Sequence, residues 1–416
     1  MPIDPNSVSA SNNLRHVSII GAAFSANKGA ASMLVAAIQE IRRNNPQASI
    51  DVLTTYPEAD QVISEEYGVR VLSLKPLELA LLSFPLGLFS SFSSLFKVPR
   101  RVWARTPALK SLLRSDVVVD LAGISFVSGR GIPTLGYNVL MTGLPLLLGR
   151  PVVKASQAMG PFTTVGVRLA AKAILPRLHE VVARGHITKS HLTDLGLTHA
   201  SEGSDIAFLM QTTKAEKQRA EEILPSGDQL FVGVVPSQVV DNYSSRNNGS
   251  YLTDMVSIIN SLQQRGHQVV LIPHSIQLDE PAGKMNDLPL VQEICKLVDS
   301  PVIAITSDES PGVLRELIAR CDLLVASRFH AMVSSLATAT PTLVIGWSHK
   351  YLEVLAQFNQ DDAAVDYRSL NVGAVLDKCD LFLMHRSQRS SEIEKNLLSV
   401  LASSRSGLSS VLKLSS

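Results

Sequence analysis

Short β-rich runs alternate with helical periodicity along nearly the whole chain, and this alternation constrains the fold more than any other feature. In the first half HVSIIG, SIDVLTT, DVVVDLAG, RPVVKASQ and EVVAR read as strands. Apolar residues recur at helical spacing between them, as Leu34, Ile38 and Ile41 do after the first strand. The polar segment TTKAEKQRAEEILPSGDQ then intervenes, and the pattern restarts with FVGVVP, HQVVLIPH, PVIAIT, DLLVAS and TLVIGW. Such alternation predicts parallel sheets covered on both faces. The expected fold class is therefore α/β, with two doubly wound domains facing across a cleft. The expected divisions are a disordered 1–13, an N-terminal domain over 14–212 and a linker helix over 213–228 stopped by Pro225 and Gly227. A C-terminal domain over 229–386 follows, then a helix and frayed tail over 387–416.

Composition excludes several classes of function. The 416 residues are 45% hydrophobic and 18% charged, which supplies two cores and rules out a mainly disordered chain. Lys and Arg number 38 against 37 Asp and Glu, and aromatics are only 5%, so no nucleic-acid partner is expected. Three scattered cysteines, with no CxxC pair, fit a reducing compartment and neither a disulfide framework nor zinc. MPIDPNSVSASNN has no basic run before an apolar core, so no secretory signal is expected and the location reads as cytoplasmic.

Two uncharged stretches, Leu79 to Phe96 and Gly131 to Gly149, just reach membrane-spanning length. Each carries internal Pro and Gly, and a true span is not expected. Lys97, Arg100, Arg101, Arg105, Lys110 and Arg114 follow the first with no acid before Asp116, and Trp103 lies among them. Two readings stand for 79–114. It is a peripheral contact with an anionic inner membrane face, or a solvated basic helix capping the domain.

In open parallel sheets, ligands bind beyond the carboxyl ends of strands. Gly21 ends the first strand, and Asn27 and Gly29 lead into a helix expected to begin near Ala30. That turn either holds an anion or sugar hydroxyl on its backbone or is a ligand-free turn. Gln157 is a cleft wall or turn chemistry, and Arg184 grips a ligand or serves a local carboxylate. After DLLVAS come Arg328, Phe329 and His330, and after TLVIG come Trp347, Ser348, His349 and Lys350, each group opening a helix. Two helix starts with adjacent cations suit an anion, and His330 would move a proton at cellular pH. The chain has no Asp-x-Asp, Walker loop, GxSxG or HExxH, and no metal is expected.

From Val17 to Phe358 these motifs, in order, resemble the polysaccharide pyruvyl transferase family. They are GAAFSANKGA, QAMGP at 157–161, and Arg184 with Ser190, Leu195 and Gly196. Asp205, Ala207 and Phe208 follow, then the box Ser327 to Ala331. GWSHKYLEVL, Gly346 to Leu355, is similar to the subgroup building acidic exopolysaccharides such as colanic acid. The resemblance implies two Rossmann-like domains in a glycosyltransferase-B-like arrangement, the N-terminal one on the acceptor side and contributing Arg184. It implies phosphoenolpyruvate as co-substrate with no cofactor, and a saccharide acceptor, free or lipid-linked. Catalytic roles fall on His330, Arg184 and Lys350, and donor binding on Arg328, Ser327, Ser348 and the Phe329 backbone. Gly21, Asn27, Gly29 and Gln157 line the acceptor side. Where the family has Gly-Asp-Glu, this chain has Gly29, Ala30 and Ala31, so that carboxylate's role is absent or supplied elsewhere.

Phosphoenolpyruvate carries about three negative charges, counting its phosphate as −1.5 to −2, and Arg184, Arg328 and Lys350 would answer them. A nucleotide-sugar glycosyltransferase of the same architecture, and a non-catalytic partner in polysaccharide assembly, are the competing expectations.

Overall fold

The structure is a computed structural model that describes residues 14–94, 96–97, 99–225, 227, 229–246, 249–276, 285–346 and 349–413. The expected disordered segment 1–13 and the site candidate Ser348 lie outside the described residues.

The chain divides into two compact units. One holds the residues through Phe24, Leu34–Ile206 and the chain from Ser403 onward; the other holds Ser25–Met33 and Ala207–Ala402. In the first unit the strands are β1 His16–Ile20, β2 Ser49–Thr54, β3 Arg70–Ser73, β4 Val117–Asp120, β5 Ile124–Ser125, β6 Val152–Met159, β7 Glu180–Arg184 and β8 Ser201–Gly203. They form a parallel sheet in the order β3-β2-β1-β4-β6-β7-β8, with β5 paired to β6. The five residues of β1 are all buried, as strands covered on both faces must be. Ile19 sits opposite Val52 on one side and Val119 on the other.

The second sheet contains β9 Phe231–Val235, β10 Gln268–Leu271, β11 Ile303–Ala304, β12 Leu323–Ala326, β13 Thr342–Gly346 and β14 Ala364–Asp366. Its order is β11-β10-β9-β12-β13-β14, parallel throughout. Successive strand residues point to opposite faces, and the cores follow that rule. Val232, Val234, Leu323 and Val325 pack with Ile258 and Leu262 on one face. Val235, Leu324 and Ala326 pack with Leu314 and Leu317 on the other. Strand order reverses between β9 and β12, so a crevice opens beyond their carboxyl ends.

The units divide the chain at places other than the expected boundaries. The first unit's main segment ends at Ile206 rather than 212. The expected linker 213–228 contains the helix Lys214–Ile223, fixed by a Thr213–Glu216 capping box, and its Ala220 and the following Leu224 belong to the second unit's core. The expected tail is the helix Arg386–Ser406 followed by Ser409–Lys413. It is docked rather than frayed, because Leu408 and Val411 are fully buried in the first unit. The first helix begins at Lys28, two residues before Ala30.

Candidate functional site

In the second unit β12 delivers Ser327, Arg328, Phe329 and His330 to the switch point, where Phe329 opens the helix Phe329–Ala337. Arg328 holds the cap position with extended backbone (φ −112°, ψ 129°). Its Nε donates to both oxygens of Asp287, at 2.8 and 3.1 Å, and its Nη2 donates to Asp287 and to the Met285 carbonyl, the latter at 2.8 Å. Asp287 is fully buried and also accepts the Gln238 N–H at 2.9 Å. Burial pushes the Asp287 carboxyl up, and Arg328 opposes that shift. A fork held this way is pre-organised, and Nη1 donates to nothing among the described residues.

Aromatic rings set the rest of the corner. Phe329 meets His330 edge-on, with centroids 5.1 Å apart, and meets Tyr351 at 5.6 Å. Lys350 places its ammonium 4.9 Å from the Phe329 ring centroid and 5.3 Å from that of Tyr351. Burial pushes the Tyr351 phenol up to about 12, so it stays neutral beside these cations. Gly29 shows why the turn requires glycine: a Cβ there would lie 2.0 Å from His330 Nδ1. Asn27 caps the same turn, its Oδ1 accepting the Ala30 N–H at 2.9 Å.

Four of the expected donor-side residues, Arg328, Phe329, His330 and Lys350, thus come together. Ser327 is close by but braced inward, since its hydroxyl accepts from the Tyr251 phenol at 2.7 Å and it is 3% exposed. Gly29, expected on the acceptor side, abuts His330 within the second unit instead.

The remaining candidates lie in the first unit. Gly21, with φ +81°, permits close passage of the chain just beyond β4, because a Cβ would fall 2.7 Å from the Ala122 nitrogen. Gln157 is fully buried and is therefore no cleft wall. It donates to the Asp120 carbonyl and carboxylate at 2.6 and 2.8 Å and accepts from Ser125 and Lys154. The Lys154 ammonium is itself enclosed against Asp120 at 2.5 Å. Arg184 ends β7 and pairs with the buried Asp205 at 2.7 Å, the local-carboxylate alternative of the two sequence readings.

Sequence reasoning missed two residues of the corner. His274, just beyond β10, is 4% exposed and pushed down to about 3 by burial first, then by His330, Arg328 and Lys28. Lys28 is 6% exposed and pairs with Asp308 at 2.5 Å. The available signal for His274 was its place at the end of HQVVLIPH, a strand end like that before Arg328. Lys350 and the Arg328 and Lys28 cations, the last two each partly offset by its own carboxylate, lie with a neutral imidazole in one unit, an arrangement that suits a compact anion.

Comparison with known proteins agrees with this fold. A family model for polysaccharide pyruvyl transferase matches residues 27–349. The amylovoran biosynthesis protein AmsJ of Erwinia amylovora is 24% identical over 298 residues, covering 70% of each chain. Among solved structures, UDP-GlcNAc 2-epimerase from Neisseria meningitidis aligns at TM-score 0.59 and 12% identity over 96% of this chain and 100% of its own. Alr3699/HepE of Anabaena, in complex with UDP and glucose, aligns at TM-score 0.55 and 11% identity over 95% and 100%. At such identities the structural likeness shows the fold alone, two Rossmann-like units of the kind found in glycosyltransferase-B-like proteins.

Proposed function

The chain belongs to the polysaccharide pyruvyl transferase family, and from that premise we propose that it moves the enolpyruvyl group of phosphoenolpyruvate onto a hydroxyl pair of an exopolysaccharide unit. The acceptor is a saccharide of the growing polymer or its lipid-linked repeat, met on the cytoplasmic side. The observation that carries the reading is the corner of Arg328, His330 and Lys350 at the carboxyl end of the second sheet, with Lys28 and neutral His274 beside it.

In this reading Arg328, steadied by Asp287, and Lys350 hold the phosphate and carboxylate of the donor, with the first turn of Phe329–Ala337 assisting. His330 delivers a proton to the methylene carbon. One sugar hydroxyl adds to the cation-like C2 as it loses its own proton. Phosphate then leaves C2, and the second hydroxyl closes the ketal. One acid–base group contributes about 10²–10⁴-fold, and orientation up to about 7–11 kcal/mol. Arg184 enters the proposal on the family resemblance only, because its guanidinium already serves Asp205.

Incubating the protein with phosphoenolpyruvate and a saccharide acceptor should release inorganic phosphate and add one acid-labile pyruvate ketal, read by mass spectrometry. Arg328→Ala should raise the KM for the donor, while His330→Ala should chiefly lower kcat. The rival reading draws on HepE, whose structure holds UDP and glucose. Release of a nucleoside diphosphate from a nucleotide sugar, with no phosphate from phosphoenolpyruvate, would decide for that rival.

A further inference from the structure

The segment after β3 has no part in the proposed chemistry, yet its surface is unusual. Among the described residues, Pro76–Ser94 is the one helix long and apolar enough to cross a membrane by length and composition. It runs through a π-helical turn at Leu79–Ser83 into the helix Phe84–Ser94, and a single turn, Arg100–Trp103, follows. Its burial is inverted. Ser83 and Ser90 are 0% and 1% exposed, whereas Leu81, Phe89, Phe92 and Phe96 are 76%, 58%, 62% and 69% exposed.

The inward contacts account for this orientation. A Cβ on Gly87 would lie 2.5 Å from the Leu144 side chain, so glycine lets the helix lie flat on Ile132–Leu147. Ser91 donates to the Leu147 carbonyl, Ser90 to the Arg100 carbonyl at 3.4 Å, and Ser83 shares a 3.4 Å hydrogen bond with Thr106. A helix facing water does the opposite, burying its leucines and showing its serines. Leu81, Leu88 and Phe92, spaced seven and four apart, form one outward apolar stripe. Phe89 stacks on Trp103 at 5.7 Å, which joins that stripe to the basic turn. Lys97, Arg101, Arg105 and Lys110 follow it in sequence and are exposed, and no acidic residue occurs from Leu79 to Ser115.

We propose that this face seats in the surface of an anionic phospholipid bilayer, lying along the interface with its rings among the acyl chains and its cations at the headgroups. The charge decides the occupant. A second copy would bring an identical acid-free basic segment against this one, whereas an anionic lipid surface complements both the apolar stripe and its basic border. Crossing the bilayer is disfavoured, because it would strip fully buried Leu79 and the bonded serine hydroxyls from the protein. The inference is independent of the reaction proposed above.

The test is co-sedimentation of the full-length protein with vesicles of phosphatidylcholine, with and without phosphatidylglycerol. Binding should be about tenfold stronger to the anionic vesicles, fall with added salt, and be reversed by alkaline carbonate. Trp103 emission should shift to the blue on binding, read in a Trp347→Phe background because the chain has two tryptophans. The double variant Phe89→Ser/Phe92→Ser should lose binding with an unchanged circular dichroism spectrum. Should that variant misfold, Arg101→Glu/Arg105→Glu, which alters exposed charge alone, should lose the preference for anionic vesicles. Equal binding to both vesicle types, no binding, or resistance to carbonate would overturn the proposal. So would a dimer in solution that the Phe89→Ser/Phe92→Ser change converts to monomer.

Discussion

Gly29 and His330 stand far apart in sequence, yet the structure leaves no room for a methyl group between them. Gly29 has no left-handed φ, so Gly29→Ala tests space alone, and alanine at a helix start carries no propensity cost. Overpacking of this kind costs about 1–3 kcal/mol. The expected outcome is a folded protein, melting a few degrees lower, whose turnover falls at least about tenfold because the imidazole is displaced. Unchanged turnover would remove His330 from the chemistry. A second test at this scale uses pH. Unfolded His274 takes up a proton near pH 6.5, whereas the buried residue resists protonation until about 3, so its contribution to stability is lost as pH falls through that window. Asp287, with its carboxyl pushed up, works in the opposite sense, and Arg328, His330 and Lys28 also face this imidazole. The His274→Gln variant isolates the effect. Its unfolding free energy should fall less steeply below pH 6.5 than that of the parent, by up to about 1.4 kcal/mol per pH unit. The placement of Arg328 and His330 just beyond a strand was legible, because the apolar run of DLLVAS marks the strand that precedes them. The same rule overlooked His274 and misjudged Gln157, since a strand end does not reveal whether neighbouring side chains enclose it. Around Gln157 they do, with Asp120, Ser125 and Lys154 satisfying its amide.

Elements with long apolar runs were legible from the sequence, and those set by tertiary contact were not. HVSIIG and DLLVAS announce β1 and β12 through unbroken β-branched and apolar residues. The short strands β3, β5, β8 and β14 carry two to four residues each and lack any such run. The serine-rich C-terminus reads as frayed because serine is a poor core residue, but here serines act as hydrogen-bonding pegs. Ser404 donates to the Asp205 carbonyl at 2.9 Å, and the Ser204 N–H donates to the Ser403 hydroxyl at 3.0 Å. Leu408 and Val411 are then fully enclosed. Leu408→Ala should therefore cost about 2–5 kcal/mol, read as a lower urea midpoint at unchanged slope. Leu398→Ala, at a position 75% exposed, should stay within about 0.5 kcal/mol. Equal small effects would show the last helix to be peripheral.

At the scale of the whole molecule, each unit has its own sheet and its own core, so each can report separately on what it binds. Scanning calorimetry should resolve two transitions, and Leu408→Ala, a first-unit change, should lower one of them. Phosphoenolpyruvate at about 100 times its Kd adds about 2.7 kcal/mol to whatever holds it. If the second unit holds this anion, as proposed, that increment should raise the transition left unmoved by Leu408→Ala. Arg184 sharpens the test. Removing it breaks a buried ion pair with Asp205, a change that typically costs about 3–5 kcal/mol, so lost activity in Arg184→Ala cannot by itself assign Arg184 to the donor. Calorimetry separates the two effects. If Arg184 serves only Asp205, the variant lowers the first unit's transition and leaves the phosphoenolpyruvate shift of the second intact. If Arg184 also grips the donor, that shift shrinks as well, because an unchanged second unit would then bind the same anion more weakly.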